Sequence, residues 1–165
     1  AKILVAPHET MLAVARQGGM HPERRVDKWM EIAEIVARDH GGNLEEVLAL
    51  PLPQALRALQ AFPAIGRPGA EKILLFCGAH ALPALESNGL RALLRLGFAA
   101  EQKSYDKTYR AVQAAIVGEL TATTRAWVRA HLLLRRHGQE LCKHSAPRCD
   151  DCPLADGCDS FRCAS

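Results

Sequence analysis

Five of the six cysteines in this 165-residue chain fall in its last quarter. Four of them, Cys142, Cys149, Cys152 and Cys158, read C-x6-C-x2-C-x5-C. From Lys143 to Cys163 the sequence is rich in Pro, Asp and Cys and short of apolar residues. Such a segment cannot bury enough surface to offset the entropy of ordering it, so something else must hold it. A metal is the simplest agent. The Cys149–Cys152 pair forms a compact two-ligand loop, and the flanking cysteines close the coordination sphere. Four thiolates suit either zinc or an iron–sulfur cluster. Structural zinc sites more often pair two tight knuckles, and only one is found here, so the spacing alone leaves the metal open. Pro147 and Pro153 stiffen the loops. Cys163 reads as a spare thiol, and Cys77 as a core residue on an apolar helix face. No secretory signal pattern opens the chain, which argues against an extracellular disulfide framework.

Ahead of this tail the periodicity is helical, with no strand alternation. His21-Pro22 opens a helix whose apolar positions are Val26, Trp29, Met30, Ala33, Val36 and Ala37, and Gly41-Gly42 ends it. Shorter helices are expected over about 9–17, 44–50, 53–61, from just after Gly66 through Phe76, and over 87–96. Ser104 can cap a helix carrying Tyr105, Tyr109, Val112 and Ile116, and Thr123 or Thr124 one carrying Trp127 and Leu132 to Leu134. The expected fold is all-α with two helical lobes, 1–80 and 81–165. No apolar run is long enough to cross a bilayer.

Net charge is only +3, yet Arg125, Arg129, Arg135, Arg136, Lys143 and Arg148 lie close to the cysteines with Glu140 as the only acid between Thr121 and Cys149. They form either a solvated helix face or a groove for phosphate. A second anion site is suggested by Phe62-Pro63-Ala64-Ile65-Gly66-Arg67-Pro68-Gly69-Ala70. An apolar helix face (Ala55, Leu56, Leu59, Phe62) runs into a tight turn, and a new helix starts near Pro68. Its first N–H groups and those of the turn converge, which suits a DNA phosphate. Gly66 allows close backbone approach or a positive φ.

The cysteine spacing matches, cysteine for cysteine, the [4Fe–4S] loop of the endonuclease III/adenine glycosylase family, and His137-Gly138 resembles that family's approach to the first cysteine. The 62–70 stretch resembles its L-P-G-[IV]-G-x-x-x-A helix–hairpin–helix, with Ala64 in place of the first glycine. The resemblance runs from about Pro7 to Cys158, with the hairpin over about 53–78 and the cluster loop over 142–158. It implies a [4Fe–4S] cluster on the four cysteines and a monovalent cation on the hairpin carbonyls. Double-stranded, damaged DNA would be held by Ala64, Ile65, Gly66, Arg67, Gly69, Lys143 and Arg148 in the cleft between lobes. It further implies a cytoplasmic, nucleoid-associated protein acting as a monomer.

Three departures shape the expected activity. Pro68 stands where the family's bifunctional members have a Schiff-base lysine, and Lys72 is one turn further on. Glu86, in Leu85-Glu86-Ser87-Asn88, stands at the family's catalytic aspartate; it can serve catalysis or cap its helix beside Ser87. Only about twenty residues precede Pro22, so the chain reads as an N-terminally shortened member. Arg91 and Arg95 share a helix face and can pair with acids such as Glu86 or touch phosphate. Tyr105 and Tyr109 share another, for packing or pocket lining. The expected function is base excision by a monofunctional DNA N-glycosylase. The alternatives are a non-catalytic iron–sulfur module that recognises distorted duplex, and a zinc-stapled interaction domain.

Overall fold

The computed structural model describes residues 2–162; Cys163 lies outside them. Every regular element among the described residues is helical: α1 His8–Arg16, α2 Pro22–Asp39, α3 Glu45–Ala49, α4 Leu52–Gln60, α5 Arg67–Phe76, α6 Ser87–Arg95, α7 Tyr105–Ile116, α8 Thr124–Glu140 and α9 Asp159–Arg162. Short 3-10 turns lie at Ile3–Val5 and Ala155–Gly157. No helix among the described residues is long and apolar enough to cross a membrane. The chain divides into two compact units, 1–70 and 71–165, with the boundary inside α5.

In the first unit Met11, Ala15 and Val26 form a small core, flanked by Ala6, Leu12, Trp29 and Met30. Pro22 sits in the first turn of α2, where its missing N–H costs nothing. Gly42 closes the other end, its N–H on the Val36 carbonyl at 2.9 Å. The stripe Ala55, Leu56, Leu59 of α4, continued by Phe62, is buried, and the Phe62 ring stacks on His40 at 5.7 Å.

In the second unit the buried side chains are Leu74, Leu75, Leu82, Leu85, Leu90, Leu93, Tyr109, Val112, Ile116 and Trp127. Ser104 caps α7 and Thr123 caps α8, each accepting a backbone N–H three residues on. α6 and α8 approach so closely that a Cβ at Gly138 would stand 2.5 Å from the Asn88 carbonyl oxygen. Gly138 is what permits that crossing, which aims α6 at the segment following α8. Cys77 is exposed, contrary to its expected place in the core. The buried face of α5 runs through Ala70, Glu71, Leu74 and Leu75, and Cys77 follows the helix end on the other side.

Candidate functional site

The hairpin turn between α4 and α5 is closed by Phe62 N–H on the Leu59 carbonyl and Ile65 N–H on the Phe62 carbonyl, both at 3.2 Å. Ala70 N–H bonds the Gly66 carbonyl at 3.0 Å. Earlier amides of α5 have no carbonyl inside the helix to reach; Pro68 has none to offer. Ala64 and Gly66 are exposed at the tip, Ile65, Arg67 and Gly69 half-buried. The positive φ falls on Ala64, at 63°, and not on Gly66. Nor does close packing within the chain require glycine at 66, since a Cβ there would meet only Pro68 Cδ, at an ordinary 3.9 Å. An L-residue in this region is strained by about 1–2 kcal/mol, less the chain entropy that glycine costs. Ala64→Gly should therefore stabilise the protein by about 0.5–1 kcal/mol, read as a midpoint shift in urea unfolding at unchanged slope. A lower midpoint would contradict the strain.

Glu86 is the N-cap of α6. Its Oε1 accepts the Gly89 N–H at 2.6 Å and its Oε2 the Asn88 side-chain amide at 2.9 Å. Burial pushes this carboxyl up, but the bonds from Gly89 and Asn88 and the nearby His131 outweigh it and hold it below the usual range. Glu86 is thus an ionised carboxylate at neutral pH. Tyr105 stands close enough for burial and the Glu86 charge to raise its hydroxyl. Half of Tyr105 is exposed (51%), while Tyr109, one turn on, is buried.

Among the described residues Arg91 and Arg95 are bonded neither to Glu86 nor to another acid; both reach the cysteine segment. Arg91 donates Nη2 to Asn88 Oδ1 (2.9 Å) and to the Gly138 carbonyl (2.7 Å), and Nε to the Cys142 carbonyl (3.0 Å). Arg95 donates to the carbonyls of Lys143 (2.7 Å) and His144 (3.1 Å), and its Nη1 lies 3.4 Å from Cys142 Sγ. Sequence reasoning missed this, because a guanidinium seeking carbonyl oxygens leaves no partner residue type to find. Through Asn88 and Arg91, Glu86 is hydrogen-bonded step by step to the backbone of Cys142.

Cys142, Cys149, Cys152 and Cys158 all line one cavity of about 200 Å³, walled otherwise mainly by Ala92, Leu96, Leu141, Pro147 and Phe161. The Cys158 thiol donates to the Arg95 carbonyl at 3.2 Å, and Cys152 Sγ is 3.9 Å from His137 Nε2. Burial holds the His137 imidazole below its usual pKa. No three His, Cys, Asp or Glu side chains among the described residues are gathered as a single ion would require.

Of the basic residues, Lys143 is exposed in the cysteine loop. Arg148 is exposed too but paired with Asp151 at 2.6 Å, and Arg136 with Glu140 at 3.0 Å.

No family model matches the chain. It is 22% identical over 157 residues to endonuclease III of Thermotoga maritima, an alignment covering 95% of this chain and 66% of that protein, slightly under two thirds of its length. Among solved structures it is similar to a trapped endonuclease III–DNA covalent intermediate and to a non-covalent endonuclease III–DNA complex. Each has a TM-score of 0.74 at 18% identity, covering 98% of this chain and 69% of that one. A thermostable thymine-DNA glycosylase follows, with TM-score 0.73 at 15% identity over 97% of this chain and 68% of that one. The chain thus shares the fold of these endonuclease III and thymine-DNA glycosylase structures, and in sequence it is similar to endonuclease III.

Proposed function

We propose that this chain binds damaged duplex DNA and hydrolyses the N-glycosidic bond of a damaged or mispaired base without lysine-dependent strand cleavage. The observation that carries the reading is the Glu86 carboxylate, ionised at the head of α6 on a helix bonded into the cysteine loop. Glycosidic hydrolysis passes through an oxocarbenium-like state, which a nearby carboxylate stabilises while it helps activate water. The cap bonds from Gly89 and Asn88 leave part of the carboxylate's acceptor capacity for that work. Pro68 has no amine, which supports hydrolysis over Schiff-base chemistry. Lys72 would have to reach back a full turn.

The cysteines fit a polynuclear cluster better than one ion. Thiolates about 2.3 Å from a single zinc would crowd within ~4 Å of one another, whereas these four surround a cavity of about 200 Å³. Cys142, Cys149, Cys152 and Cys158 would hold a [4Fe–4S] cluster, which when bound orders the loop and supplies one-electron redox capacity. Lys143, with Arg148 once released from Asp151, would then face phosphate, as would the amides from Ala64 to Gly69. A monovalent cation on the hairpin carbonyls and monomeric action belong to the same reading.

The test is base release from duplexes carrying uracil, thymine glycol, 8-oxoguanine–adenine or alkylated purines, with and without borohydride. Release without a trapped covalent adduct is expected; an adduct would refute the monofunctional assignment. One observation favours a binding module instead: both oxygens of Glu86 are engaged as a cap. Binding without release on any duplex would select that alternative. In either case affinity should fall steeply with salt. Lys143→Ala should lower the slope of log K against log salt by about 1, measured by fluorescence anisotropy. An unchanged slope would remove Lys143 from the interface.

A further inference from the structure

Three consecutive residues lead into Glu86, and each has a backbone group held by a side chain from another helix. Gln113 of α7 donates Nε2 to the Pro83 carbonyl at 2.8 Å. His131 of α8 places Nδ1 2.7 Å from the Ala84 carbonyl. A carbonyl only accepts, so Nδ1 carries the proton. Leu85 donates its N–H to Tyr109 Oη at 3.1 Å. Behind these stands Glu71 of α5, 2% exposed, whose Oε2 accepts from Tyr109 Oη at 2.6 Å and from Gln113 Nε2 at 2.8 Å. Burial and Glu71 push the Tyr109 hydroxyl far up, so it keeps its proton, donates it to Glu71 and offers a lone pair to Leu85.

A buried polar network is costly unless every member is satisfied. No buried side-chain polar atom among the described residues lacks a partner. Helix packing alone does not require such a network, since Leu74, Leu75 and Val112 already fill this core. The bonds that leave the network fall on the backbone of Pro83, Ala84 and Leu85, just before Glu86, and none is made to the carboxylate itself. Glutamate has one more rotatable bond than aspartate, so its reach depends more on where the backbone is pinned. We infer that His131, and Tyr109 and Gln113 as organised by Glu71, are positioning residues that set the place of the Glu86 carboxylate. The inference rests on the glycosylase reading above.

Tyr109→Phe and Gln113→Met keep the bulk of each side chain and delete only the polar anchor. Two measurements on the cluster-loaded chain decide the matter: amide exchange at Leu85, which needs no activity, and single-turnover base release beside DNA affinity. Leu85 exchange should quicken in Tyr109→Phe. Base release should slow by about 10- to 100-fold in both variants, as expected for displacements up to about 1 Å, with Kd within about twofold. Slower release with intact binding separates positioning from general loss of structure. Release at the wild-type rate in both variants, or unchanged Leu85 exchange in Tyr109→Phe, would overturn the inference alone. Absence of release by the wild-type chain on every duplex would overturn the glycosylase reading and this inference with it.

Discussion

Cys149→Ser should yield colourless protein, depleted of iron and acid-labile sulfide, that binds duplex DNA at least about tenfold more weakly at physiological salt. The reason lies in how unevenly the cysteine segment is anchored. Its first residues are held without any metal: Arg91 bonds the Cys142 carbonyl and Arg95 the carbonyls of Lys143 and His144. Beyond them the ties to the rest of the chain thin out to Arg148 N–H on the Leu141 carbonyl, the Cys158 thiol on Arg95 and a long Cys152–His137 approach; the other bonds, such as Cys152 N–H on the Cys149 carbonyl and Arg148 on Asp151, stay within the segment. Ordering each residue costs about 1–2 kcal/mol of backbone entropy, which these short-range bonds and so few outside ones cannot offset over 145–158. Loss of a ligand should free that stretch and leave α6, α7 and α8 intact. Helical circular dichroism should stay near wild type while limited proteolysis cuts between Ser145 and Cys158. A Cys149→Ser protein that keeps full iron and resists cleavage would show that these thiolates do not hold a cluster.

The helices could be read from sequence because each combines an apolar period with a local boundary signal. Pro22 and Gly41-Gly42 bound α2, Ser104 opens α7 and Thr123 opens α8. The 3-10 turn Ala155–Gly157 and the one-turn α9 have no such period, and were not legible. Cys77 was misplaced because apolar neighbours say nothing about which side of a helix end a residue faces. The left-handed turn falls on Ala64 and not on Gly66, and the one hint of it was that the hairpin pattern has a glycine at that position. The roles of Arg91 and Arg95 were hidden, because their acceptors are carbonyls some fifty residues away. Glu71 left a trace that could have been caught. It falls in the buried phase of α5 with Ala70, Leu74 and Leu75, where a carboxylate needs partners.

The second large effect concerns the carboxylate itself. Glu86→Gln removes one charge and almost no volume. A carboxylate about 4 Å from a developing unit charge, at an effective dielectric near 20, contributes about 4 kcal/mol, or roughly a thousandfold in rate. Single-turnover base release by Glu86→Gln should fall by about that factor. DNA affinity should stay within about twofold, since the hairpin and Lys143 lie outside the change. The amide can still accept from Gly89 N–H, so the cap survives in part. Its NH2 group, however, would face the Asn88 amide, another donor, and the link from Glu86 through Asn88 and Arg91 to Cys142 would break at its first bond. Glu86→Asp separates the two effects: it keeps the charge but pulls it back by one methylene. If charge governs the rate, Asp should retain far more activity than Gln. If the carboxylate is only a cap, both variants should release base as fast as wild type and differ merely in unfolding midpoint, and Glu86 then drops out of the chemistry.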